Sequence, residues 1–327
     1  MRLIAVARVR NEADIVEAFV RHHAGLVDWL ILLDNGSIDA TADILRSLKR
    51  EGAPISLYRA DTAIFTEAAH NTFLLRQAVA LAADWVLCLD CDEFVDTRRA
   101  ALPLRSYLAA VPADVDCLEL ALVNYHATAA DNPDELIAPK RIRRRSEPSD
   151  VPKVFVRGRL AVRGATVAHG NHSISLAGQT IQAVRAPDLL LAHYPVRSGW
   201  QMLAKALVGR LKVLASGQQE ERNNTAEHYT GLLTNLRDHP EWLLDDTEFL
   251  HAQRPPELIA GGVVDDPINY AGDALRYTVP HDPRLHAARS VVAYCETLAR
   301  RHGLLLDSVP GARGLGNQLD GEPEQVF

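Results

Sequence analysis

The chain has 327 residues, with 35 basic against 42 acidic side chains for a formal charge of −7 at pH 7. At 47% apolar and 24% charged, its composition is that of a folded protein, long enough for one large domain or two small ones at roughly 100–200 residues each. The acidic balance argues against a nucleic-acid binder, whose affinity rests on excess Lys and Arg, and the longest apolar run, Leu26 to Leu33, is broken by Asp28, short of the roughly 20 residues a membrane span needs.

In chain order, Leu3 to Val9 reads as a buried strand, followed by a helix from Glu12 to Ala24 with Ile15, Val16, Phe19 and Val20 at helical spacing. This opening stretch lacks a secretory signal, so a cytoplasmic soluble protein is the default expectation. Trp29 to Leu33 is a second strand, before a helix carrying Ile44, Leu45 and Leu48 on one face. A third strand spans Ile55 to Tyr58, a long helix Glu67 to Ala83, and two further strands Trp85 to Leu89 and Cys117 to Val123. Near-continuous apolar strands alternating with helices predict a mainly parallel sheet covered on both faces. Ligands in such sheets bind beyond the carboxyl ends of the strands.

Past Tyr125 the alternation breaks down. Residues 126–152, with Pro133, Pro139, Pro148 and the run Arg141, Arg143, Arg144 and Arg145, read as a surface excursion whose arginines are solvated. Short strands return at Val154 to Val156 and Leu189 to Ala192. Helices then dominate from Ser198 to Gly217, Ala226 to His239 and Pro283 to His302. The expected division is a sheet domain over 1–197, with halves at 1–125 and 126–197, a helical region over 198–306, and a flexible tail over 307–327.

Cys88 and Cys91 form a CxxC inside a strand pattern; with no second pair to complete a zinc site, they read as buried bystanders. The sharpest chemical feature overlaps them: Leu87-Cys88-Leu89-Asp90-Cys91-Asp92-Glu93-Phe94. Two aspartates at i and i+2 where a buried strand leaves the sheet can converge on a hard divalent cation, Mn²⁺ or Mg²⁺, that also takes diphosphate oxygens. After the second strand, Asn35-Gly36 signals a turn and Ser37 or Asp39 a helix cap, which leaves Asp34 free for a ribose hydroxyl or base edge. Arg8 and Arg10 lie on one side of the first strand's tip.

Arg10-Asn11-Glu12, His22-His23, Asp34 to Thr41 and Leu89 to Phe94 together resemble the family 2-like glycosyltransferases, in the branch with an Asn-Glu start and an Asp-x-Asp-Glu-Phe motif. The resemblance covers residues 1–125 well and the rest loosely. It implies a glycosyltransferase A (GT-A) fold, nucleotide contacts near Val9, Arg10, Glu12 and Asp34, and a diphosphate addressed by Asp90 and Asp92 through a metal. Ile38 and Ala40 depart from the residues common in the second motif, but both its carboxylates are kept. The later Lys153-Val154-Phe155, His169-Gly170-Asn171-His172 and His193-Tyr194 also resemble the branch. His193, at a strand end, is placed to complete the metal shell, and Lys205 or Arg197 to neutralise a leaving diphosphate.

The expected reaction moves a sugar, with inversion, from a nucleotide diphosphate sugar to a hydroxyl on an unidentified acceptor: a saccharide, a lipid-linked molecule or a small molecule. Such a transfer needs a base, for which Glu119 is the first candidate and His172 the second. The helix bearing Trp200, Leu203, Leu207, Leu211 and Leu214 with Lys205, Arg210 and Lys212 between is basic and amphipathic, suited to core docking or to peripheral membrane contact. A nucleotidyltransferase would want a glycine in Ala7 to Glu12, and a phosphohydrolase built on Asp90 leaves Asp34 and Arg10 without a role. A non-catalytic sugar-nucleotide binder shares every donor feature.

Overall fold

In the computed structural model, residues 1–128, 130–217, 228–244, 262–280 and 282–308 are described. Strand β1 (Leu3–Val9) lies at the centre, paired in parallel with β2 (Trp29–Asn35) on one side and β4 (Trp85–Asp90) on the other, with β3 (Ile55–Ala60) parallel to β2 at the outer edge. The crossovers are α1 (Val16–Ala24), α2 (Thr41–Glu51) and α3 (Glu67–Ala80). Alternate residues of β1 feed opposite cores: Leu3, Ala5, Ala7 and Val9 pack with α1 and α2, Ile4 and Val6 with α3. That is the two-sided covering its unbroken apolar run predicts.

Beyond β4 the sheet becomes mixed. After β5 (Glu93–Asp96) and α4 (Leu104–Ala110) come β6 (Cys117–His126), α5 (Ala138–Arg141), β7 (Arg144–Arg145) and β8 (Ser149–Arg157). β8 joins antiparallel between β4 and β6. After α6 (Gly158–Val162), a small antiparallel sheet of β9 (Thr166–Val167), β10 (Ile174–Leu176) and β11 (Gln179–Thr180) encloses a 3₁₀ turn, His169–Asn171. β12 (Val184–His193) then runs parallel to β6 and antiparallel to β5. β5 is a strand the sequence pattern does not reveal: Glu93 to Asp96 lies against Leu190 to His193, nearly a hundred residues downstream.

The helical part comprises α7 (Gly199–Ala215), capped by Ser198 accepting from Gln201 N–H, α8 (His228–Asp238) and α9 (Pro283–Ser308). α9 packs along α7, and α7 buries Leu203, Ala204, Ala206, Val208 and Val213, the core-docking alternative. Among the described residues no helix is long and apolar enough to cross a membrane. The expected tail at 307–327 falls almost wholly outside the described residues.

Two segments differ from expectation. In the arginine run Arg143 stays exposed while pairing with Asp265, whereas Arg145 is largely covered and pairs with Asp266, where β13 (Val264–Asp265) pairs with β7. Residues 271–278 are not part of a helical layer but are laid along α1, where the buried Glu17 carboxylate accepts the backbone N–H groups of Arg276, Tyr277 and Thr278 at 2.7, 2.9 and 2.6 Å. An uncompensated carboxylate there would be costly, and three donors remove that cost.

Candidate active site

The Phe94 ring anchors the acidic motif. It packs edge-on against Phe19 at 6.1 Å and Tyr194 at 5.5 Å, and is fully buried, worth roughly 1.5–3 kcal/mol. His22 and His23 lie beneath it: His22 Nε2 is 3.0 Å from Val95 O, and His23 Nδ1 is 2.8 Å from Phe19 O. The histidine pair therefore supports the motif from the core. With Phe94 fixed, Asp90 ends β4, Asp92 sits in the turn, and Glu93 folds back so that its Oε2 accepts from Asp90 N–H at 2.9 Å.

Each carboxylate has a cation brought by a later element. Lys153, on β8 and 3% exposed, places Nζ 2.6 Å from Asp90 Oδ2 and 2.6 Å from Glu93 Oε1. Asn171 donates to the other Asp90 oxygen at 3.3 Å. Lys205, from the second turn of α7, donates to Asp92 Oδ2 at 2.6 Å. Arg197, 1% exposed by side chain, donates to both Asp14 oxygens at 2.6 and 3.0 Å, to Glu12 Oε2 and to Tyr194 O, and lies 3.8 Å from Asp92. Burial pushes Asp92 up, but the Lys205 ammonium, with Arg197 beyond it, outweighs that and holds the carboxyl below the usual range. Burial wins at Glu12, raised to about 7, and at Glu93, raised to about 8. Asp90 is held down once the Lys153 ammonium outweighs its burial. The Lys153 ammonium thus bridges Asp90 and Glu93, whose other oxygen accepts from Asp90 N–H.

His193, at the end of β12, holds Nδ1 2.7 Å from Asn124 Oδ1 and Nε2 3.7 Å from Asp92 Oδ1. Burial pushes this histidine down to about 4, so the ring is neutral at pH 7. Its proton sits on Nδ1 facing the Asn124 oxygen. The Nε2 lone pair then faces a carboxylate oxygen with no hydrogen between them, a donor pair that suits a divalent cation. Asp90 does not join them, because its oxygens are turned to Lys153 and Asn171. Among the described residues no group of three or more His, Cys, Asp or Glu side chains is gathered closely enough to hold an ion.

The nucleotide-side residues are brought to the same edge. Val9 pairs in register with Asp34, and Arg8 with Asp90. Arg10 donates to Asn35 O at 3.0 Å. Asp34 Oδ1 accepts from Ser37 N–H at 2.9 Å, so one oxygen serves the turn. Glu119 is not brought in: it sits near the start of β6, level with Val154, whereas Asp90 lies two strands away and further toward the carboxyl edge. His172 is brought in. Its Nδ1 lies 2.8 Å from Pro152 O, next to Lys153, and its exposed ring has Nε2 free of that contact. Gly170, at φ +63°, makes room: a Cβ there would stand 2.2 Å from His172 Nε2. Cys88, Cys91 and Cys117 are buried and free, with burial pushing the Cys88 thiol up to about 12, the bystander role expected of them.

Lys153 is the residue the sequence reading undervalued, and its signal was present: a lone lysine in a buried strand needs a carboxylate partner. Arg141, expected in solvent, instead lines a cavity of about 310 Å³ with Asn11, Asp14, Arg197, Gln201 and Thr278.

No protein-family model matches the chain, and no curated protein matches it by sequence. Among solved structures, S. aureus TarS 1–349 in complex with UDP is similar at 10% identity, over 80% of this chain and 83% of that one, with a TM-score of 0.36. A mannosyltransferase from Pyrobaculum calidifontis in complex with GDP-Man and Mn²⁺ is similar at 13% identity, over 98% of this chain and 88% of that one, with a TM-score of 0.37. HddC from Yersinia pseudotuberculosis is similar at 11% identity over 49% and 79%, with a TM-score of 0.28.

Proposed function

We propose that this chain is a glycosyltransferase of the GT-A type, transferring a sugar with inversion from a nucleoside diphosphate sugar to a hydroxyl acceptor. The observation that carries the reading is the gathering of Asp90, Asp92, Glu12, His193 and Lys205 at the carboxyl edge of β1, β4 and β12. Four elements, the ends of β1, β4 and β12 and the second turn of α7, converge there, at the edge where ligands of parallel α/β sheets bind.

Asp92 and His193 would hold Mn²⁺ or Mg²⁺, which offsets charge on the diphosphate. The chain's own groups do the rest. Lys205, 33% exposed by side chain, is the ammonium free enough to follow charge onto the leaving group. Arg197 keeps Glu12 and Asp14 fixed. His172 is the base: with Nδ1 facing Pro152 O, the neutral ring turns its Nε2 lone pair outward to take the hydroxyl proton. Asp34 orients the nucleoside. Stabilisation is electrostatic, with no covalent intermediate on the protein.

The test is release of nucleoside diphosphate from UDP- and GDP-sugars, with and without Mn²⁺, over a panel of saccharide and lipid-linked acceptors. Thermal shift with UDP and GDP runs in parallel, since a ligand of the native state raises the melting point. Absence of any nucleotide-dependent shift and of any release overturns the reading.

A further inference from the structure

Helix α7 runs across the carboxyl edge of the sheet. Its second turn meets Asp92 beyond β4 through Lys205, and Ser216, just past its end, accepts from Phe65 N–H beyond β3 at 2.7 Å. Lys205 and Lys212 are two turns apart and so share a face, about 10 Å apart along the axis. Lys205 has its carboxylate. Lys212 does not: it is 5% exposed, and its Nζ has no hydrogen-bond partner.

The surroundings of Lys212 repeat the pattern. Arg8 on β1 is paired with Glu67 of α3 at 2.9 Å, and Arg10 gives one nitrogen to Asn35 O. Arg10 Nε is buried with no partner, and so is Nδ1 of His70 on α3, whose Nε2 is 3.3 Å from Thr66 Oγ1. Beyond β3 stands Asp61, exposed, and from α9 the Tyr294 ring lies 5.8 Å from the Arg10 guanidinium. Lys212 is within electrostatic reach of Arg10, Arg8 and Asp61, and His70 of Arg8, Lys212 and Glu67. Buried cations and donors left open around one point cost stability in the free protein, and a tetrahedral oxyanion would satisfy them.

We propose that Lys212, Arg10 and His70 form a phosphate-binding site, distinct from the Asp92–His193 pair. Two sources share this chemistry: the nucleotide's own phosphates and a phosphate group on the sugar acceptor. Burial, with Arg10 and Arg8 adding to it, pushes Lys212 down to about 7. An anion seated on the ammonium reverses that, so binding at pH 7 takes up to about half a proton.

The experiment is titration calorimetry of the full chain with inorganic pyrophosphate, UDP, GDP and uridine at pH 7, in two buffers of different ionisation enthalpy, on wild type and Lys212→Met. Circular dichroism and melting curves accompany it, and Lys212→Gln serves as a second variant. The expected result is pyrophosphate binding by wild type with proton uptake, and affinity at least about tenfold lower with no uptake in Lys212→Met. If UDP or GDP weakens in step and uridine does not, the phosphate is the nucleotide's. If UDP and GDP are unchanged while pyrophosphate is lost, it belongs to the acceptor. Equal pyrophosphate, UDP and GDP affinities in both folded proteins, or no anion binding to wild type, overturn the proposal. No sugar transfer is measured, so failure of the transferase reading and failure of this site are told apart.

Discussion

Arg197→Met removes the one guanidinium that joins Glu12, Asp14 and the turn before α7. The side chain is 1% exposed, and the carboxylates it holds are 10% and 24% exposed, so water cannot take its place. Breaking a buried pair from one side costs about 3–5 kcal/mol, because the partner charge is left uncompensated. At a few degrees per kcal/mol for a chain of this size, the melting point should fall by roughly 6–12 °C. Lysine should not rescue, since the fork reaches two carboxylates at once and an ammonium does not. The loss depends on pH. Glu12 is already raised by burial to about 7, and without Arg197 it rises further. A carboxyl raised in the folded state stabilises below its unfolded value, and that contribution is lost as pH climbs through the folded value. Arg197→Met should therefore cost more at pH 8 than at pH 5.5, where Glu12 escapes by taking a proton. Urea unfolding of the wild type, Arg197→Met, Glu12→Gln and the double variant at both pH values measures this. The cycle should show a coupling of about 1–3 kcal/mol at pH 8. A cost under about 1 kcal/mol at both pH values, or no coupling to Glu12, refutes the account.

Asp34→Ala should weaken UDP or GDP binding by about 1–3 kcal/mol in calorimetry, whereas Asp34→Asn, which keeps the contact to Ser37 N–H, tells ligand contact from turn formation. His193→Ala should lower Mn²⁺ affinity in an electron paramagnetic resonance titration, and Asn124→Ala, which frees the ring tautomer, should lower it about 10–100-fold. His172→Ala should slow transfer by about 10²–10⁴-fold at unchanged nucleotide affinity; Gly170→Ala should do the same by displacing the ring, and normal transfer in both returns His172 to a surface role.

The parallel half was legible because its signals are local. Leu3 to Ala7 and Trp85 to Leu89 are apolar throughout, as strands covered on both faces must be, and the polar residues that end such runs mark the ligand edge. What escaped depends on pairing across long stretches of chain. Glu93 to Asp96 reads as the end of a strand and a cap; that it returns as β5 is decided by β12. Arg145 looks solvated until Asp266 arrives about 120 residues later. Glu119, an acid on an apolar strand, looked like a base because pattern gives the face a residue occupies but not how far along the sheet it stands. His22 and His23 entered only as part of a resemblance, because a polar pair in a helix does not announce that its ring nitrogens will meet the backbone of Val95 and Phe19.

The lysines at the acidic motif lead to a last expectation. Asp92 is 2% exposed and Lys205 33%, so of the two it is the lysine that can leave. While Lys205 sits on Asp92, a cation approaching Asp92 and His193 meets an ammonium already in place, and a diphosphate meets a lysine whose charge is spent. A diphosphate that draws Lys205 onto its own oxygens uncovers Asp92 for the cation, and a cation on Asp92 releases Lys205 for the diphosphate. Each ligand thus removes a cost the other would bear, and linkage requires the effect to be reciprocal. Mn²⁺ should tighten UDP or GDP by some factor, and the nucleotide should tighten Mn²⁺ by the same factor, in the range of about 5–150. In Lys205→Met the obstruction is gone: Mn²⁺ alone should bind Asp92 and His193 more tightly than in wild type, and the coupling should shrink. Calorimetric titrations of each ligand in the absence and saturating presence of the other close the thermodynamic box for both proteins. If Lys205→Met leaves Mn²⁺ affinity and coupling where they were, the lysine is a fixed strut of the fold and the exchange does not occur.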